Sequence, residues 1–401
     1  MALKLVRSPI AVVAGAGLNG LGVVRSLAKA GVPTVILDTD LRNPTLATRF
    51  GSKIQISALS GEAFIRSLAQ VGGMLKQKPV LILTQEDSVE TVSCEREQLQ
   101  KLFLFSMPPK STMQMLMNKY SFQQSAEDLK SPIPRSIRLT PSLDLERLNP
   151  LRYPCVIKPL VKTPEYNHKF AKAYKVSSGG QAAKLWSEMS EAVSEAIMQE
   201  WIEGDDSDVY FCLQYRPPSG PPVSFVGRKI CQWPPMIGGT ASCVSAPDVH
   251  DELVTSTNRY FDAVGLVGVC SMEYKRDKRD QRFYMVEPTV GRTDYQEEIA
   301  TLNGVNIPYA AYCGELGMPQ GRSSSKHPPR VWRDSMSYDK ARSAGASDNV
   351  REISPHAIII DALFRANDPM PYLAAKLEPF RGRIGQLLHR MWISKSRSNR
   401  D

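Results

Sequence analysis

The sequence of 401 residues contains no apolar run close to the roughly 20 residues that a membrane-spanning helix needs. Its N-terminus reaches Gly15 and Gly17 where a signal peptide would continue its apolar core toward a cleavage site. Its seven cysteines are scattered and form no C-x-x-C pair, so the sequence indicates neither a disulfide framework nor a zinc site. These absences lead us to expect a cytoplasmic protein with reduced thiols.

The sequence also lacks the signature of a nucleic-acid-binding protein. Lys and Arg outnumber Asp and Glu by 50 to 41, but the basic residues are dispersed, with local concentrations at 158–175, at 275–282 and at the C-terminal end. No RNA- or DNA-binding motif accompanies them. Small polyanionic ligands and acidic surfaces explain the basic excess as well, and we expect no nucleic-acid partner.

Enough apolar sequence is present, at 42% of the residues, to build several domains. Residues 9–105 alternate short apolar runs with helical stretches, which predicts an open parallel sheet with helices on both faces. The pattern then changes to strands and hairpins broken by one helix. We predict a chain of α/β plus α+β class with an open parallel-sheet domain at 1–107, a two-lobed part at 108–320 that begins with a linking helix, and a C-terminal extension at 321–401.

A glycine-rich turn follows the first apolar run. Gly15, Gly17 and Gly20 have the G-x-G-x-x-G spacing of a dinucleotide-binding turn, and Asp38 closes the next apolar run, where an acid would reach a ribose hydroxyl. This fingerprint alone is weak. It leaves open an NAD-dependent oxidoreductase, a turn whose helix N-terminus receives a substrate carboxylate, and a turn with a purely structural use.

Two strand-like runs flank a charged turn centred near Asp280. Glu273 and Glu287 are equidistant from this centre, so an antiparallel hairpin in that register makes them cross-strand partners with Cβ atoms about 5 Å apart. Like charges at that distance repel unless a cation lies between them, and Mg²⁺ is the natural occupant. Two solvated strand glutamates are the simpler alternative, but the apolar neighbours of both residues disfavour it.

Upstream segments carry groups suited to a nucleotide. Lys158 ends an apolar strand before a proline, and 199–203 read as a strand that ends at Gly204, along which an adenine could bond. Arg228 and Lys229 lie on another predicted strand, which precedes the loop Gly238-Gly239-Thr240. Taken singly, each has a structural explanation as a surface lysine, an exposed strand end or a hairpin turn.

The order of these features changes their interpretation. A helical lysine (Lys119), Lys158, Q-E-x-I-x-G at 199–204, the R-K strand, the G-G-T loop, V-x-x-x-E-Y-K at 269–275, E-P-T-V-G-R at 287–292 and L-N-G-V-N-I-P at 302–308 follow one another along the chain. This series resembles the ATP-grasp superfamily, and most closely its carboxylate–amine ligase branch with the D-aspartate ligase-like proteins. The resemblance covers roughly residues 9–315 and implies a two-lobed ATP-grasp domain after the open sheet.

The resemblance also implies roles for individual residues. It implies that ATP phosphates contact Lys119 and Lys158, that the adenine lies along Glu200, Trp201 and Ile202, and that Glu203 contacts the ribose. It implies Mg²⁺ on Glu273 and Glu287, with Thr289 as the remaining candidate ligand, and a transferring phosphate or substrate carboxylate neutralised by Arg292 and by Arg228 or Lys229. The implied substrate contacts are Gly17, Asn19 and Asn306.

Two positions depart from the pattern of the family. Members usually carry asparagine two residues after the second metal-binding glutamate, where this chain has Thr289. The lid between the first two strands of the ATP lobe is normally glycine-rich, whereas residues 161–175 are basic and contain no glycine. The third metal ligand and the retention of turnover are therefore open at this point.

We accordingly expect an enzyme that uses ATP and Mg²⁺ to join a small carboxylate to an amine through an acylphosphate. A nucleotide-binding regulatory or inactive protein is the alternative, and an NAD-dependent oxidoreductase is a further one that leaves the series from 158 to 292 unexplained. The sequence does not predict an oligomeric state.

The C-terminal end forms a separate feature. Over 379–397, apolar residues recur at helical spacing while arginines and a lysine occupy the other face. This pattern predicts a basic amphipathic helix. It either packs on the body of the protein or docks on an anionic membrane surface or an acidic partner, so a peripheral membrane location remains an alternative to a purely cytoplasmic one.

Overall fold

The computed structural model describes residues 9–141, 151–160, 164–171, 173–319 and 328–378, which form three sheets and the helices around them. The predicted amphipathic helix at 379–397 lies outside these residues. Within the described part of the chain, no helix is both long enough and apolar enough to cross a membrane. The strands are β1 Ala11–Ala14, β2 Thr34–Asp38, β3 Ser52–Gln55, β4 Val80–Leu83, β5 Ser136–Leu139, β6 Cys155–Pro159, β7 Tyr174–Val176, β8 Ala196–Glu200, β9 Val209–Arg216, β10 Val223–Trp233, β11 Gly239–Ser245, β12 Gly268–Arg276, β13 Phe283–Val290, β14 Arg330–Arg333 and β15 Ile358–Asp361. The helices are α1 Gly17–Lys29, α2 Gly61–Met74, α3 Glu86–Cys94, α4 Arg96–Leu99, α5 Lys110–Met117, α6 Lys119–Asp128, α7 Pro164–Lys169, α8 Gly179–Met189, α9 His250–Ala263, α10 Glu298–Leu302, α11 Ile307–Glu315, α12 Ser335–Ser343 and α13 Val350–Ile353.

The N-terminal sheet has the order β3-β2-β1-β4, and its strands are parallel. Val12 and Ala14 of β1 pack toward α2 and α3, while Ala11 and Val13 pack toward α1 and α11. This arrangement confirms the predicted open parallel sheet with helices on both faces. β3 does not stand out as an apolar run in the sequence, because its residues Ser-Lys-Ile-Gln contain only one apolar side chain.

The glycine-rich turn is closed by its own chain. Gly15 has φ +95°, and a Cβ there would lie 2.4 Å from Thr84 Oγ1, while a Cβ on Gly20 would lie 2.1 Å from the Gly15 carbonyl oxygen. The Asp38 carboxylate accepts hydrogen bonds from the backbone N–H groups of Ala16 at 2.7 Å and of Asp40 at 3.1 Å. The glycines therefore permit close packing of strand, turn and helix, and the acid stabilises the turn.

The prediction of a single linking helix at the start of the two-lobed part is wrong, because two helices, α5 and α6, lie there. The side chain of Asn118 accepts the N–H groups of Tyr120 and Ser121 and so starts α6 immediately after α5 has ended. Asparagine stabilises a helix start better than a helix interior. The break makes Lys119 the first residue of α6.

A small antiparallel sheet of order β5-β8-β6-β7 forms one lobe. Cys155 and Ile157 of β6 pack with Met198 of β8 and with Trp186 of α8 in a separate core. Because side chains alternate along a strand, Val156 and Lys158 face the other side of this sheet. That side lines a cavity.

A seven-stranded sheet of order β13-β12-β9-β10-β11-β14-β15 forms the second lobe. All eight residues of its strand β9 are buried. Strands β14 and β15 lie beyond residue 320, yet β14 pairs with β11 and continues the same sheet. The sheet therefore extends across the predicted boundary at 320, and the three-part division of the chain stays a prediction.

The segment after β15 is tied to the N-terminal sheet domain by a buried ion pair. Arg25 of α1 is 3.0 Å from Asp368, and both side chains are nearly inaccessible. Asp368 also accepts a hydrogen bond from the Thr48 hydroxyl at 2.7 Å, and Arg25 donates to the Ala362 carbonyl at 2.8 Å. The first and last described parts of the chain thus pack together.

The glycine turn yields a stability prediction. Gly20→Ala places a methyl group against the backbone of Gly15 and should lower the free energy of unfolding by about 3 kcal/mol, the upper range for overpacking. Gly17→Ala is the matched control: its φ is +49° and its Cβ would meet no atom within 4 Å, so it should cost only about 1 kcal/mol. Urea denaturation of both variants measures the difference, and a Gly20→Ala variant as stable as Gly17→Ala would contradict it.

Candidate functional site

A cavity of about 350 Å³ lies between the two lobes. A smaller one of about 110 Å³ adjoins it and shares several lining residues with it. Ten of the fifteen predicted site residues line these cavities, although they come from seven regions of the chain. They are Lys119, Lys158, Glu200, Trp201, Ile202, Lys229, Glu273, Glu287, Thr289 and Arg292.

The acidic hairpin has the expected register. Glu273 of β12 lies directly opposite Glu287 of β13, and a bulge follows Glu273. About a quarter of the Glu273 side chain is solvent-accessible, and Glu287 is exposed. The two carboxylates therefore stand next to each other at the cavity wall.

Lys229 of β10 supplies a cation to this hairpin. Its Nζ lies 2.6 Å from Glu273 Oε2 and 3.2 Å from Gln232 Oε1, and the lysine side chain is buried. Burial alone would lower the pKa of Lys229, but the Glu273 carboxylate outweighs burial and the pKa is raised. Burial raises the pKa of Glu273; Lys229 opposes this shift and the Glu287 carboxylate adds to it. A charged pair is the arrangement that the geometry favours.

Arg228, the other predicted candidate on β10, lies on the opposite face of the strand. Its Nε donates a hydrogen bond to the Ser207 carbonyl, and its guanidinium lies 5.2 Å from the centre of the Tyr210 ring. Neighbouring strand residues point to opposite faces, so Arg228 and Lys229 cannot both line the cavity. Of the two candidates, Lys229 therefore lines the cavity and Arg228 does not, which corrects the expectation for Arg228.

Two further lysines approach the cavity from different elements. Lys119 lies at the start of α6, and Lys158 lies on β6 opposite Ile197 of β8. Both border the large and the small cavity, together with Arg292 and Glu287. The cavity thus has basic groups on several walls and an acidic pair on one.

The segment 200–203 connects the lobes. The predicted strand through Glu203 is too long, because β8 ends at Glu200 and the chain leaves the sheet after the Trp201 N–H has bonded the Pro154 carbonyl at 2.9 Å. Arg279 donates to the Trp201 carbonyl at 3.0 Å and holds the segment against the hairpin turn. The N–H of Ile202 has no acceptor among the described residues.

Glu203 does not line the cavity in the structure. Its Oε1 lies 3.5 Å from Lys175 Nζ, and its backbone carbonyl accepts the Lys278 N–H at 2.9 Å. The side chain is partly exposed on the rim of segment 200–203. A ribose contact by Glu203 is therefore not supported by this arrangement.

The three predicted substrate contacts lie elsewhere. Asn19 donates to the carbonyls of Thr84 at 3.0 Å and Thr293 at 2.9 Å, and its Oδ1 accepts the Thr293 hydroxyl. Asn306 starts α11 by accepting the Tyr309 N–H and donates to the Ser26 carbonyl at 2.7 Å. Gly17 is exposed at the start of α1. We correct the prediction, because the polar atoms of both asparagines already hold segments of the protein together.

The loop 291–297 contributes residues that the sequence analysis missed. Asp294 and Gln296 line the large cavity, and Asp294 accepts the Ser271 hydroxyl at 2.9 Å. Glu86 at the start of α3 also borders the cavity. The density of polar residues after Arg292 was the available signal, but no spacing rule indicated which of them turn inward.

The architecture matches solved structures over most of the chain. A complex of N5-carboxyaminoimidazole ribonucleotide synthetase with ADP has a TM-score of 0.63 at 13% identity and covers 82% of both chains. The biotin carboxylase domain of the 2-oxoglutarate carboxylase of Hydrogenobacter thermophilus, with MgADP and bicarbonate, has a TM-score of 0.60 at 11% identity, covering 80% of this chain and 72% of the other. The protein has the ATP-grasp fold.

A distant relative is also found by sequence. D-aspartate ligase of Enterococcus faecium (strain Aus0004) is 22% identical over 319 residues, which cover 74% of each chain. No protein-family model matches the chain. The resemblance noted in the sequence is thus confirmed at the level of the ATP-grasp fold.

The carboxylates of Glu273 and Glu287 suit a metal ion that a bound substrate also contacts. Among the residues that the structure describes, no group of three or more His, Cys, Asp or Glu side chains could hold a metal ion. Mg²⁺ is usually held by one or two protein carboxylates together with substrate phosphates. Glu273 and Glu287 fit a site in which the metal is shared between protein carboxylates and substrate phosphates.

Glu297, at the start of α10, is a buried acid behind the ATP-grasp cavity. It is 1% exposed, its Oε2 accepts the Asp294 N–H at 3.0 Å, and its Oε1 has no partner within the described ranges. Burial raises the pKa of Glu297 to about 8 from an ordinary value of 4.5. The folded protein therefore keeps this carboxyl protonated at neutral pH, whereas the unfolded chain ionises it.

This pKa predicts a pH-dependent stability. Below pH 4.5 both states bind the proton, and as the pH rises from 4.5 toward 8 the unfolded state gains stability from ionisation. The folded protein therefore loses stability as the pH rises, and Glu297→Gln should remove this loss. Measured by urea denaturation, the free energy of unfolding should differ between pH 5 and pH 8 by on the order of 2 kcal/mol less in Glu297→Gln than in the wild type. Glu188→Gln, an exposed glutamate of α8, is the control and should leave the slope unchanged. The same slope in Glu297→Gln and the wild type would show that Glu297 is ionised in the fold.

Proposed function

We propose that this protein is an ATP- and Mg²⁺-dependent carboxylate–amine ligase that forms an amide bond through an acylphosphate. One observation carries the proposal. A single cavity joins an apolar end with the unbonded N–H of Ile202, lysines from two different elements, and the cross-strand pair of Glu273 and Glu287. A nucleoside triphosphate needs three such environments: an apolar pocket for the base, cations for the phosphates and carboxylates for the metal.

The adenine lies at the end of the cavity formed by Trp201 and Ile202, where Val156 and Val209 supply apolar contacts. The Ile202 N–H donates to a ring nitrogen of the base. The phosphates extend toward Lys119 and Lys158. Glu273 and Glu287, with Thr289 nearby on β13, would hold Mg²⁺, which would neutralise phosphate charge when bound.

The chemistry requires position and charge more than a protein nucleophile. A substrate carboxylate oxygen attacks the γ-phosphorus, forming an O–P bond as the bond to ADP breaks. The amine nitrogen then attacks the carbonyl carbon, phosphate leaves, and the nitrogen gives up a proton. Arg292 and Lys229 offset the charge of the carboxylate and of the transferring phosphoryl group. Enclosure between the lobes protects the acylphosphate from water.

The relative indicates where substrate tests should begin. D-aspartate ligase of Enterococcus faecium aligns with this chain over 74% of its length, so D-aspartate is the first acid to test. The measurement is ADP release with D-aspartate and other small acids, each with and without amines. ADP release that requires both an acid and an amine supports the ligase, and release that needs bicarbonate instead contradicts it.

A nucleotide-binding protein without turnover is the second candidate, and one observation favours it. Lys229 already neutralises Glu273 at 2.6 Å, so the metal must compete with an ammonium for this carboxylate. ATP binding without ADP release under any acid and amine would select this candidate. An NAD-dependent enzyme is disfavoured, because both oxygens of Asp38 already accept backbone N–H groups, one from Ala16 of the glycine turn and one from Asp40.

The first prediction of the ligase proposal concerns the phosphates. Lys158→Ala removes a cation from the cavity and should weaken ATP binding about tenfold or more, the effect of one charge-assisted contact. Isothermal calorimetry with MgATP measures the change. Lys184→Ala, an exposed lysine of α8 in the same lobe, serves as the control. ATP affinity of Lys158→Ala within twofold of the wild type would exclude this assignment.

The second prediction concerns the carboxylate pair. Glu287→Gln should reduce turnover by about a hundredfold or more, because the metal loses one of its two protein carboxylates. The variant should be at least as stable as the wild type, since it also loses a like-charge repulsion. ADP release and thermal denaturation are measured together. Turnover within threefold of the wild type would overturn the metal assignment.

A further inference from the structure

Lys275 is a buried cation that faces the cavity without a hydrogen-bond acceptor. It is 7% exposed, lines the large cavity, and donates no hydrogen bond to any residue in the described part of the chain. Burying an ammonium without an acceptor is costly. A lysine held in this way is arranged for a ligand atom that completes its hydrogen bonding.

The position of Lys275 on β12 relates it to the carboxylate pair. It lies two residues beyond Glu273 and pairs with Val209 of β9. Two residues of a strand span about 6.5 Å, so Lys275 lies that far from Glu273 along β12. The Lys275 side chain lies at the apolar end of the cavity, which Val209, Trp201 and Ile202 also line.

Trp201 provides the immediate neighbour of this ammonium. Lys275 Nζ lies 4.4 Å from the centre of the indole ring, within the range of a cation–π contact. Trp201 itself is 8% exposed and is followed by Ile202, whose N–H is unbonded. The ring holds the lysine in place but does not satisfy its N–H donors.

We propose that Lys275 is a specificity-determining residue that donates a hydrogen bond to a purine ring nitrogen of the bound nucleotide. This inference rests on the proposed function, which places the base at Trp201 and Ile202. Two donors then meet the base from different directions, the Ile202 N–H and the Lys275 ammonium. A base with ring acceptors on two sides, such as adenine, satisfies both, whereas a phosphate contact would belong to Lys119 and Lys158.

The decisive experiment combines a variant with nucleotide analogues. Lys275→Met keeps the length of the stem and removes the donor, and its affinity for MgATP should fall about tenfold. 1-Deaza-ATP, 3-deaza-ATP and 7-deaza-ATP each lack one of the three ring acceptors of the base, N1, N3 and N7. One of them should bind the wild type about tenfold more weakly than ATP and should show no further loss with Lys275→Met, because the same hydrogen bond is already missing.

The matched control is Lys175→Met. Lys175 Nζ lies 4.7 Å from the same indole ring, but it is partly exposed, lies near Glu203 and does not line the cavity. Its loss should change ATP affinity less than twofold. An equal loss in both variants would indicate a general effect on Trp201 and would overturn the proposal.

Two other results would also overturn it. If Lys275→Met weakens ATP and all three analogues by the same factor, the lysine contacts a phosphate or the ribose. If the wild type binds all three analogues as tightly as ATP, no ring nitrogen accepts a hydrogen bond from the protein, and this comparison needs no variant. Failure of the ligase proposal is separate, because it is detected by the absence of ADP release that requires both an acid and an amine, whereas the Lys275 experiment measures nucleotide affinity alone.

Discussion

Two carboxylates on neighbouring strands, Glu273 and Glu287, form the electrostatic constraint on which the cavity depends. Their register places them directly opposite each other, where like charges repel. Lys229, from a third strand of the same sheet, neutralises one of them within the protein. Both carboxylates border a cavity that has basic groups on its other walls, so the site combines the charges that a polyanion and its accompanying cation require.

The N-terminal sheet domain supports this site without lining most of it. Asn19 holds the Thr84 carbonyl at the end of β4 and the Thr293 residue beside Arg292 with three hydrogen bonds. The glycine turn allows α1 to start close to the sheet, and Gly22 lets the same helix approach Glu298 of α10. A turn that resembles a dinucleotide fingerprint thus serves to position the loop that carries Arg292 and Asp294.

The C-terminal strands brace that loop from the other side. The Tyr295 hydroxyl donates a hydrogen bond at 3.1 Å to Asp334, which follows β14. The buried pair of Arg25 and Asp368 returns the chain to the N-terminal domain. Breaking such a pair by removing one partner leaves an uncompensated buried charge, so the loop is confined between two parts of the chain that are far apart in sequence.

The sequence by itself determined the parallel sheet with helices on both faces, the hairpin register that sets Glu273 opposite Glu287, and the order of motifs typical of the ATP-grasp fold. The sheet and the hairpin register follow from local periodicity, because strand geometry permits only one alternation of side chains about a short turn. The order of motifs is a resemblance to a known family. Only the tertiary structure decided that Lys229 rather than Arg228 faces the cavity, that Asn19 and Asn306 bind backbone carbonyls, and that Lys275 is buried beside Trp201. The face of a strand that is covered, and the acceptor that a side chain finds, depend on segments up to hundreds of residues away, and no local pattern encodes them.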